Sequence, residues 1–375
     1  MKSTEATKHI FLPNLNGLRF LGAILVFVFH IFTLGKEIWG DFFLAPLFQV
    51  IAKLAAKGHH GVGLFFTLSG FLITYLLLSE IDRKGTINVP HFLIRRILRI
   101  WPLYFIILLF GFLIFPHLPH GIHTVHSPLY YSFFLSNLDE IWVGAYDSLN
   151  FLTITWSVSI EEQFYLSWIF LLGLFPFFRK GKLFPYFFGL IILISIVFRY
   201  LNFADERTMY YHTFAVVSDL AIGGLAAYAV KRMAFAERIA GMKKWMIIAI
   251  YGIGITCLVA STKLFPNELR SIERLIQGSF FAFVVLEQVY CRNSFLKMDR
   301  IPGFKNAGEL TYGFYMYHCI FIYYWSIFFQ QNGWTNSLGY FILYAMVVFF
   351  STYLAAFLSM KFIERPILNL KSRYR

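Results

Sequence analysis

The chain has 375 residues, of which 58% are hydrophobic and 14% are charged. It is too apolar for one soluble domain and indicates a polytopic membrane protein. The net charge of +13 would suggest nucleic acid in a soluble protein, but here we assign it to cytoplasmic loops and expect no nucleic-acid partner. The three cysteines are scattered without a CxxC pair, which favours neither a disulfide framework nor a zinc site.

Ten apolar segments have about the length of a membrane span. They cover residues 17–33, 61–79, 102–116, 162–178, 184–201, 212–230, 245–262, 272–290, 309–329 and 338–362. Of the 33 Lys and Arg residues, 24 lie in one set of alternating flanking segments and 8 in the other, with Arg19 inside a span. This bias places both termini in the cytoplasm. We therefore predict an all-α, multi-pass bundle of about ten helices in the cell membrane, with residues 1–375 as one domain.

The first span, LNGLRFLGAILVFVFHIF, contains Arg19 and His30, eleven positions apart. At about 100° per residue they share one helix face, about 16 Å apart along the axis. An ionisable residue inside a span indicates a functional site because its burial is expensive. The alternatives are that Arg19 snorkels to the interface and that His30 bonds another helix.

The second span contains a polar notch at Thr67, Ser69 and Gly70. Small residues allow close helix packing, and a cavity-lining face is the functional alternative. Further along, in HFLIRRILRIWPLYF, Arg96 and Arg99 are three apart and share a helix face, whereas Arg95 points elsewhere. Such a pair is either a cytoplasmic anchor or a bidentate site for the phosphates of a donor.

A loop then carries four histidines, each three residues from the next: His117, His120, His123 and His126. Histidine clusters invite a metal hypothesis, but Pro116, Pro119 and Pro128 prevent a helix from aligning them. We expect an exposed loop, and no metal.

The segment TWSVSIEEQFYLSW begins the fourth span. Ser159 and Glu162 form a capping-box pattern, with Ser159 as the N-cap. Glu161 has no such explanation and falls at the same membrane level as His30. We predict that Glu161 accepts the imidazole N–H and orients His30 as a base if the two helices are neighbours.

Fewer signals occur in the later spans. Asp219 is an intramembrane carboxylate and needs a partner. Tyr312, Tyr315 and His318 form a polar stripe at three-residue spacing on one helix face. Glu364 and Arg365 follow at the cytoplasmic edge. All of these residues have either packing or functional roles.

Together these stretches resemble the acyltransferase 3 family of integral membrane acyltransferases. The resemblance is carried, from about residue 14 to 367, by LNGLRFLGAILVFVFH, LFFTLSGFLIT, FLIRRILRIWPLYF, WSVSIEEQFYLSW, DLAIGGLAAY, LTYGFYMYH and FIERPI. It implies a ten-helix core that moves an acyl group, usually acetyl, from cytoplasmic acyl-CoA to a hydroxyl at or beyond the outer face. The implied acceptors are glycans, glycolipids and small hydroxylated molecules. The implied partners also include membrane lipid, and the oligomeric state stays open.

Arg19 and His30 match the family's arginine-x10-histidine pair, Arg96 and Arg99 its RxxR motif, and Glu161 and Glu162 its double glutamate. We therefore predict His30, Glu161 and Arg19 as catalytic residues. We predict Arg96 and Arg99, with Arg95 and Arg19, as the acetyl-CoA site. Candidate substrate-binding residues are Ser69, Trp156, Glu162, Asp219, Tyr315 and His318. His30 is either a general base or a nucleophile that carries the acyl group. Gly63 and Asn16 stand where relatives often have aspartate. Some relatives carry a C-terminal extracytoplasmic hydrolase-like domain, and since the chain ends at Arg375 we expect none here.

A transporter or flippase is the alternative class, because buried charges in a multi-helix bundle also suit a substrate pathway. The sequence shows no clear duplicated pair of broken spans, which disfavours it. An enzyme would release free CoA thiol in proportion to modified acceptor, and a transporter would not.

Overall fold

The computed structural model describes residues 12–39, 46–144 and 150–371. Over these ranges the chain forms helices and connecting segments, without β-strands. The predicted all-α class is therefore confirmed.

Ten helices of fifteen or more residues lie within the described ranges, and each overlaps one predicted apolar segment. They are α1 (Leu15–Trp39), α2 (His60–Lys84), α3 (Val89–Leu109), α4 (Thr155–Leu174), α5 (Phe184–Leu201), α6 (Ser218–Arg232), α7 (Lys244–Val259), α8 (Arg270–Tyr290), α9 (Thr311–Gln331) and α10 (Leu338–Ser359). Five continuous helical regions, Leu15–Leu34, Phe48–Lys84, Val89–His117, Phe184–Leu201 and Leu338–Asn369, are long and apolar enough to cross a membrane. The count of ten spans and the side of the termini stay predictions.

Shorter helical segments connect the long helices. They are Pro46–Ala55, Ala56–His59, Phe110–Ile114, Phe115–His117, Pro128–Ser132, Ser136–Val143, Phe151–Ile154, Pro176–Lys180, Glu206–Tyr211, Thr213–Val216, Phe235–Ala240, Ser261–Leu264, Asn267–Leu269, Met298–Arg300, Phe304–Ala307, Gly308–Leu310, Met360–Glu364 and Arg365–Asn369. Phe110–Ile114 and Met360–Glu364 are π-helical turns that extend α3 and α10.

The turn between α2 and α3 is determined locally. Gly85 ends α2 in the left-handed region at φ 73°, which a glycine adopts without a Cβ penalty. The Asn88 side chain then caps α3 by accepting from the His91 amide. These signals start α3 well before the apolar segment predicted at 102–116, so Arg96 and Arg99 lie on the helix itself.

Small residues bring α2 and α6 into close contact at the bundle centre. A Cβ at Gly70 would lie 1.9 Å from the Leu220 carbonyl oxygen, and one at Gly223 would lie 1.9 Å from that of Thr67. The packing interpretation of the polar notch is therefore correct for Gly70 and Thr67, because both meet α6 directly.

The predicted start of the fourth span was wrong. α4 begins at Thr155, so Ser159 lies inside the helix and is not its N-cap. The Ser159 hydroxyl instead bonds the Ser136 hydroxyl at 2.7 Å. The preceding turn is capped by Asn150, which accepts from the Leu152 amide and thereby moves the helix start toward the N-terminus.

Candidate active site

One polar cavity lies among α1, α2, α3, α4 and α9 and has a volume of about 170 Å³. We call it the arginine cavity, because Arg19, Arg96 and Arg99 line it. In the part of the chain that the structure describes, none of these three guanidinium groups forms an ion pair. The predicted shared face of Arg96 and Arg99 is confirmed.

The neighbours of these arginines hold them in place without neutralising them. Arg19 donates to the Asn16 side-chain oxygen at 2.9 Å. The Arg96 guanidinium carbon lies 5.6 Å from the ring centroid of Tyr165, a cation–π contact. Arg95, as predicted, points elsewhere and pairs with Glu80 at 2.8 Å.

Two carboxylates also line the arginine cavity, and neither forms an ion pair with its three arginines among the described residues. Glu161 accepts from Ser69 at 3.0 Å and from Tyr165 at 3.1 Å. Glu309 lies 3.6 Å from Arg365. Ser69 therefore lies in a cavity, in agreement with the functional interpretation of the notch.

Glu162 lies on the same helix but is buried in the wall beside α3. It accepts from the Trp101 indole N–H at 2.9 Å, and its other carboxylate oxygen is buried without a hydrogen bond among the described residues. Neither Glu162 nor Trp101 lines the arginine cavity. The candidate substrate-binding residue Glu162 therefore does not line the arginine cavity.

The second cavity has a volume of about 780 Å³ and is lined by His30. We call it the histidine cavity. Its aromatic lining comprises Trp156, Tyr210, Tyr211 and Tyr323, among others. Trp156 packs against both Tyr210 and Tyr211, with ring centroids 5.0 and 5.2 Å away. The candidate substrate residue Trp156 therefore lies in the same cavity as His30.

His30 has a different partner from the one that the sequence predicted. Its Nδ1 lies 2.9 Å from Nε2 of His318, whereas Glu161 faces the arginine cavity. The predicted contact between His30 and Glu161 is therefore wrong, because α9 supplies the neighbouring side chain. Any catalytic role of Glu161 would have to be exerted from the other cavity.

His318 is itself fixed by its own helix. Its Nδ1 lies 2.6 Å from the Tyr315 carbonyl oxygen, and the side chain is buried. Cys319 Sγ lies 3.3 Å from His318 Nε2. His30, His318 and Cys319 form the one group of three potential metal ligands found among the described residues, with ligand atoms within 4.8 Å of one another.

A thin polar wall separates the two cavities. The Tyr315 hydroxyl donates to the Ile154 carbonyl at 3.0 Å and lies 2.8 Å from the Ser157 hydroxyl. Tyr315 and Ser157 line the arginine cavity, while Ile154 and Cys319 line the histidine cavity. Of the predicted stripe, Tyr312 and Tyr315 thus line the arginine cavity, whereas His318 lines neither cavity and contacts His30.

Asp219 lies apart from both cavities. Its carboxylate is 3.1 Å from the Arg274 guanidinium, so the predicted partner of this intramembrane acid exists. Arg274 lines a third cavity, of about 200 Å³, together with His59 and His60. The structure therefore does not bring Asp219 together with His30 or with Arg96 and Arg99.

The histidine loop is only partly exposed. His117 and His123 are exposed, whereas His126 is buried and pairs with Asp139 at 2.6 Å. The His120 carbonyl accepts from Tyr323, and His120 lines the histidine cavity. The exposed-loop prediction was wrong for His126, because the helix Ser136–Val143 supplies a buried carboxylate.

Four residues near the cavities were not predicted. Tyr165, one turn after Glu161, had a helical-spacing signal that could have revealed it. Cys319 and Glu140 had none, since the residues that share the histidine cavity with them come from several separate segments of the chain. Burial, with repulsion from the nearby Arg99, Arg96 and Arg95, lowers the pKa of Lys371 to about 6, so this amine also belongs to the surroundings of the arginine cavity.

Clustered cations and a histidine pair inside an apolar helical bundle are typical of membrane enzymes and transporters, because a scaffold has no use for such expensive groups. Comparison with known proteins separates these classes. The chain belongs to the acyltransferase 3 family, whose profile, described as an acyltransferase domain, matches residues 12–357. The predicted family is confirmed, and the enzyme class is favoured over the transporter.

Relatives of this chain are named as O-acetyltransferases. The peptidoglycan O-acetyltransferase OatA of Listeria monocytogenes is 27% identical over 386 residues, covering 98% of this chain and 57% of that protein. A putative O-acetyltransferase of Staphylococcus aureus is 25% identical over 394 residues, covering 99% and 61%. The O-acetyltransferase OatA of Staphylococcus aureus is 25% identical over 378 residues, covering 95% and 57%.

This chain therefore spans about three fifths of the length of these relatives. No solved structure matches it.

Proposed function

We propose that this domain transfers an acetyl group from cytoplasmic acetyl-CoA to a hydroxyl group of an extracytoplasmic glycan or glycolipid, within the cell membrane. The donor phosphates bind in the arginine cavity, and the acceptor hydroxyl binds in the histidine cavity. The observation on which the proposal rests is that these chemically different cavities meet at one thin wall, formed in part by Tyr315 and Ser157.

The charge of the arginine cavity supports an anionic donor. Arg19, Arg96 and Arg99 face one cavity without forming ion pairs among the described residues. Guanidinium groups bind phosphate bidentately, and a phosphate there would offset a costly cluster of like charges. Since Arg95 is held by Glu80, it contributes less to the donor site than the sequence suggested.

The spacing along α1 supports transfer between the cavities. Arg19 and His30 are about 16 Å apart on an ideal helix, which is comparable with the pantetheine arm that joins the phosphates of CoA to its thioester. A donor anchored at the arginines would therefore present its thioester near the wall, on the side facing His30.

The aromatic lining supports a sugar-like acceptor. Trp156, Tyr210, Tyr211 and Tyr323 line the histidine cavity, and such rings offer flat faces together with hydroxyl and indole donors. The name of the Listeria relative gives peptidoglycan as that protein's acceptor. By analogy, we propose a cell-surface glycan hydroxyl for this chain.

In the proposed reaction, His30 removes the proton from the acceptor hydroxyl as that oxygen attacks the thioester carbonyl. The carbon–oxygen bond forms and the carbon–sulfur bond breaks. The departing thiolate takes up the proton and leaves as CoA thiol. In the alternative mechanism, His30 first takes the acetyl group from CoA as a nucleophile, and the acceptor hydroxyl then removes it from the covalent acetyl-His30 intermediate.

The test uses purified protein in lipid vesicles with radiolabelled acetyl-CoA and an added glycan. We expect wild type to release CoA thiol in proportion to labelled glycan, and His30→Ala to lose at least about 1,000-fold in turnover while retaining CoA binding. His117→Ala, which removes an exposed histidine, is the matched control and should stay active. Glycan labelling without CoA release, or a fully active His30→Ala, would overturn the proposal.

A further inference from the structure

We infer that His318 is a positioning residue that sets the tautomer of His30. A chain of imidazole hydrogen bonds then orients His30 as a base, which is the role that the sequence predicted for Glu161. This inference rests on the proposed role of His30 as the base. The chain runs from the Tyr315 carbonyl through His318 to His30. It leaves the Nε2 lone pair of His30 for the acceptor hydroxyl.

The first step is the tautomer of His318. Its Nδ1 lies 2.6 Å from the Tyr315 carbonyl oxygen. A carbonyl can only accept, so Nδ1 must bear the hydrogen. In a neutral imidazole the other nitrogen then holds a lone pair. The backbone of α9 therefore fixes His318 as an acceptor at Nε2.

The second step passes this preference to His30. Nε2 of His318 lies 2.9 Å from Nδ1 of His30. Since the first atom is an acceptor, the second must be the donor and must bear the hydrogen. Nε2 of His30 is then unprotonated, which a general base requires. The ring lines the histidine cavity, where the acceptor would bind.

The same contact assists the proton transfer. When His30 takes a proton at Nε2, its Nδ1–H becomes a stronger donor to the lone pair of His318. The arrangement parallels a serine-hydrolase triad, in which a partner holds the catalytic imidazole in the required tautomer. Here the partner is a neutral ring that is only 1% exposed, so it orients the base without placing a second full charge beside it.

The Cys319 thiol could compete with His30 as the donor to His318. It also suggests a second hypothesis, in which the three side chains bind a metal ion. Cys319 Sγ lies 3.3 Å from the same Nε2 of His318, but a thiol is a weak donor and the imidazole N–H contact is the shorter one. The three side chains could alternatively share a soft metal ion, since two imidazoles and a thiolate suit zinc. The two hypotheses differ in what Nδ1 of His30 bears: a hydrogen or a metal.

The direct test is solid-state NMR of the protein in lipid bilayers with isotope-labelled histidine, where protonated and unprotonated ring nitrogens give separate signals. His30→Ala and His318→Gln would assign the two residues. We expect both neutral rings to carry hydrogen on Nδ1, with coupling between Nδ1 of His30 and Nε2 of His318. A His30 ring protonated on Nε2 would overturn the inference. The inference would also be overturned if a bound metal ion shifted the NMR signals of both rings, a chelator reversed that shift and added zinc restored it.

Kinetics supply the second readout. His318→Leu removes the acceptor and should lower kcat about 100-fold, with little change in CoA affinity. His318→Gln retains an acceptor oxygen and should recover at least about tenfold of that loss. Cys257→Ala, which changes a free cysteine that lines neither cavity, should stay within about threefold of wild type. Equal loss in the Leu and Gln variants at wild-type thermal stability would overturn the inference.

These results are separable from the proposed function. The NMR measurement needs neither donor nor acceptor, so an inactive preparation can still confirm or reject the tautomer chain. If the tautomers are as inferred but His30→Ala stays active, the proposed base is wrong and the geometry of His318 is structural.

Discussion

The arginine cavity and the histidine cavity share helices α1, α4 and α9 but differ in the charge of their linings. The arginine cavity gathers Arg19, Arg96 and Arg99, and its two carboxylates are engaged by other residues. The histidine cavity is larger and is dominated by aromatic rings, and its His30 bonds His318 outside the lining. One cavity is therefore prepared for an anion, and the other for a neutral polar molecule.

Under the proposed function, this difference would let one bundle bind two unlike molecules without mixing them. Like charges held together in an apolar bundle are expensive, so the arginine cavity gains most when a polyanion enters. The histidine cavity has no such requirement. The wall at Tyr315 is the place where only a small neutral group, such as an acyl carbonyl, needs to pass.

Substitution of the cavity arginines is the strongest test of the difference between the two cavities. Arg96→Gln together with Arg99→Gln should weaken acetyl-CoA binding by at least about 100-fold, because each charge-assisted hydrogen bond contributes about 1.5–3 kcal/mol. Binding of labelled acetyl-CoA to protein in vesicles measures this directly. The histidine cavity should be unaffected, so His30 and His318 should keep their wild-type NMR signals.

Arg95→Gln is the matched control, since Arg95 lies on the same helix but pairs with Glu80. It should change the affinity for acetyl-CoA less than about tenfold. If Arg95→Gln weakens binding as much as the double variant does, the effect comes from general surface charge, and the arginine cavity has no special role.

Asp219 provides a contrast with the two cavities, because its carboxylate neutralises Arg274, which lines neither of them. Asp219→Asn should leave Arg274 without its charge partner and destabilise the protein by about 3 kcal/mol, seen as a lower thermal midpoint in detergent. Adding Arg274→Gln should recover part of the loss.

Asp205→Asn is the control for that measurement. Asp205 caps the helix Glu206–Tyr211 by accepting from the Arg207 and Thr208 amides, and asparagine caps about as well. A thermal midpoint as low in Asp205→Asn as in Asp219→Asn would contradict the assignment of a buried ion pair.

Local spacing was enough to predict much of this molecule. Each long apolar segment overlaps one of the ten long helices of the described residues, although α3 and α4 begin well before the predicted spans. Three-residue spacing predicted that Arg96 and Arg99 share a face. The preference of an intramembrane carboxylate for a cation predicted a partner for Asp219. These features depend on helix geometry or on the cost of burial, both of which the sequence contains.

Contacts between helices could not be predicted in the same way. Helical spacing places Glu161 on a face of α4, but which neighbouring helix meets that face is a tertiary property. The structure puts Ser69 of α2 opposite Glu161 and His318 of α9 opposite His30. The capping pattern at Ser159 failed for a related reason, since the preceding turn at Asn150 extends the helix and tertiary contacts bury the supposed cap.

The smallest effect concerns Glu140, a carboxylate that lines the histidine cavity. Burial raises its pKa above the ordinary value of 4.5, although the nearby His126 and the Tyr131 hydroxyl oppose the shift. The native state therefore favours the protonated acid. The resulting stability is fully present below the unfolded pKa and is lost as the pH rises through the native pKa.

Glu140→Gln removes this dependence of stability on pH. It keeps an oxygen that can accept from the Tyr131 hydroxyl, which lies 2.7 Å from the Glu140 carboxylate in the wild-type protein. We expect the thermal midpoint of wild type to fall relative to that of Glu140→Gln as the pH rises from about 4.5 toward neutrality. His126 is present in both proteins, so the difference reports Glu140. The exposed Glu268→Gln should show no such trend. A constant difference across the range would mean that Glu140 ionises normally, and that the histidine cavity tolerates a negative charge.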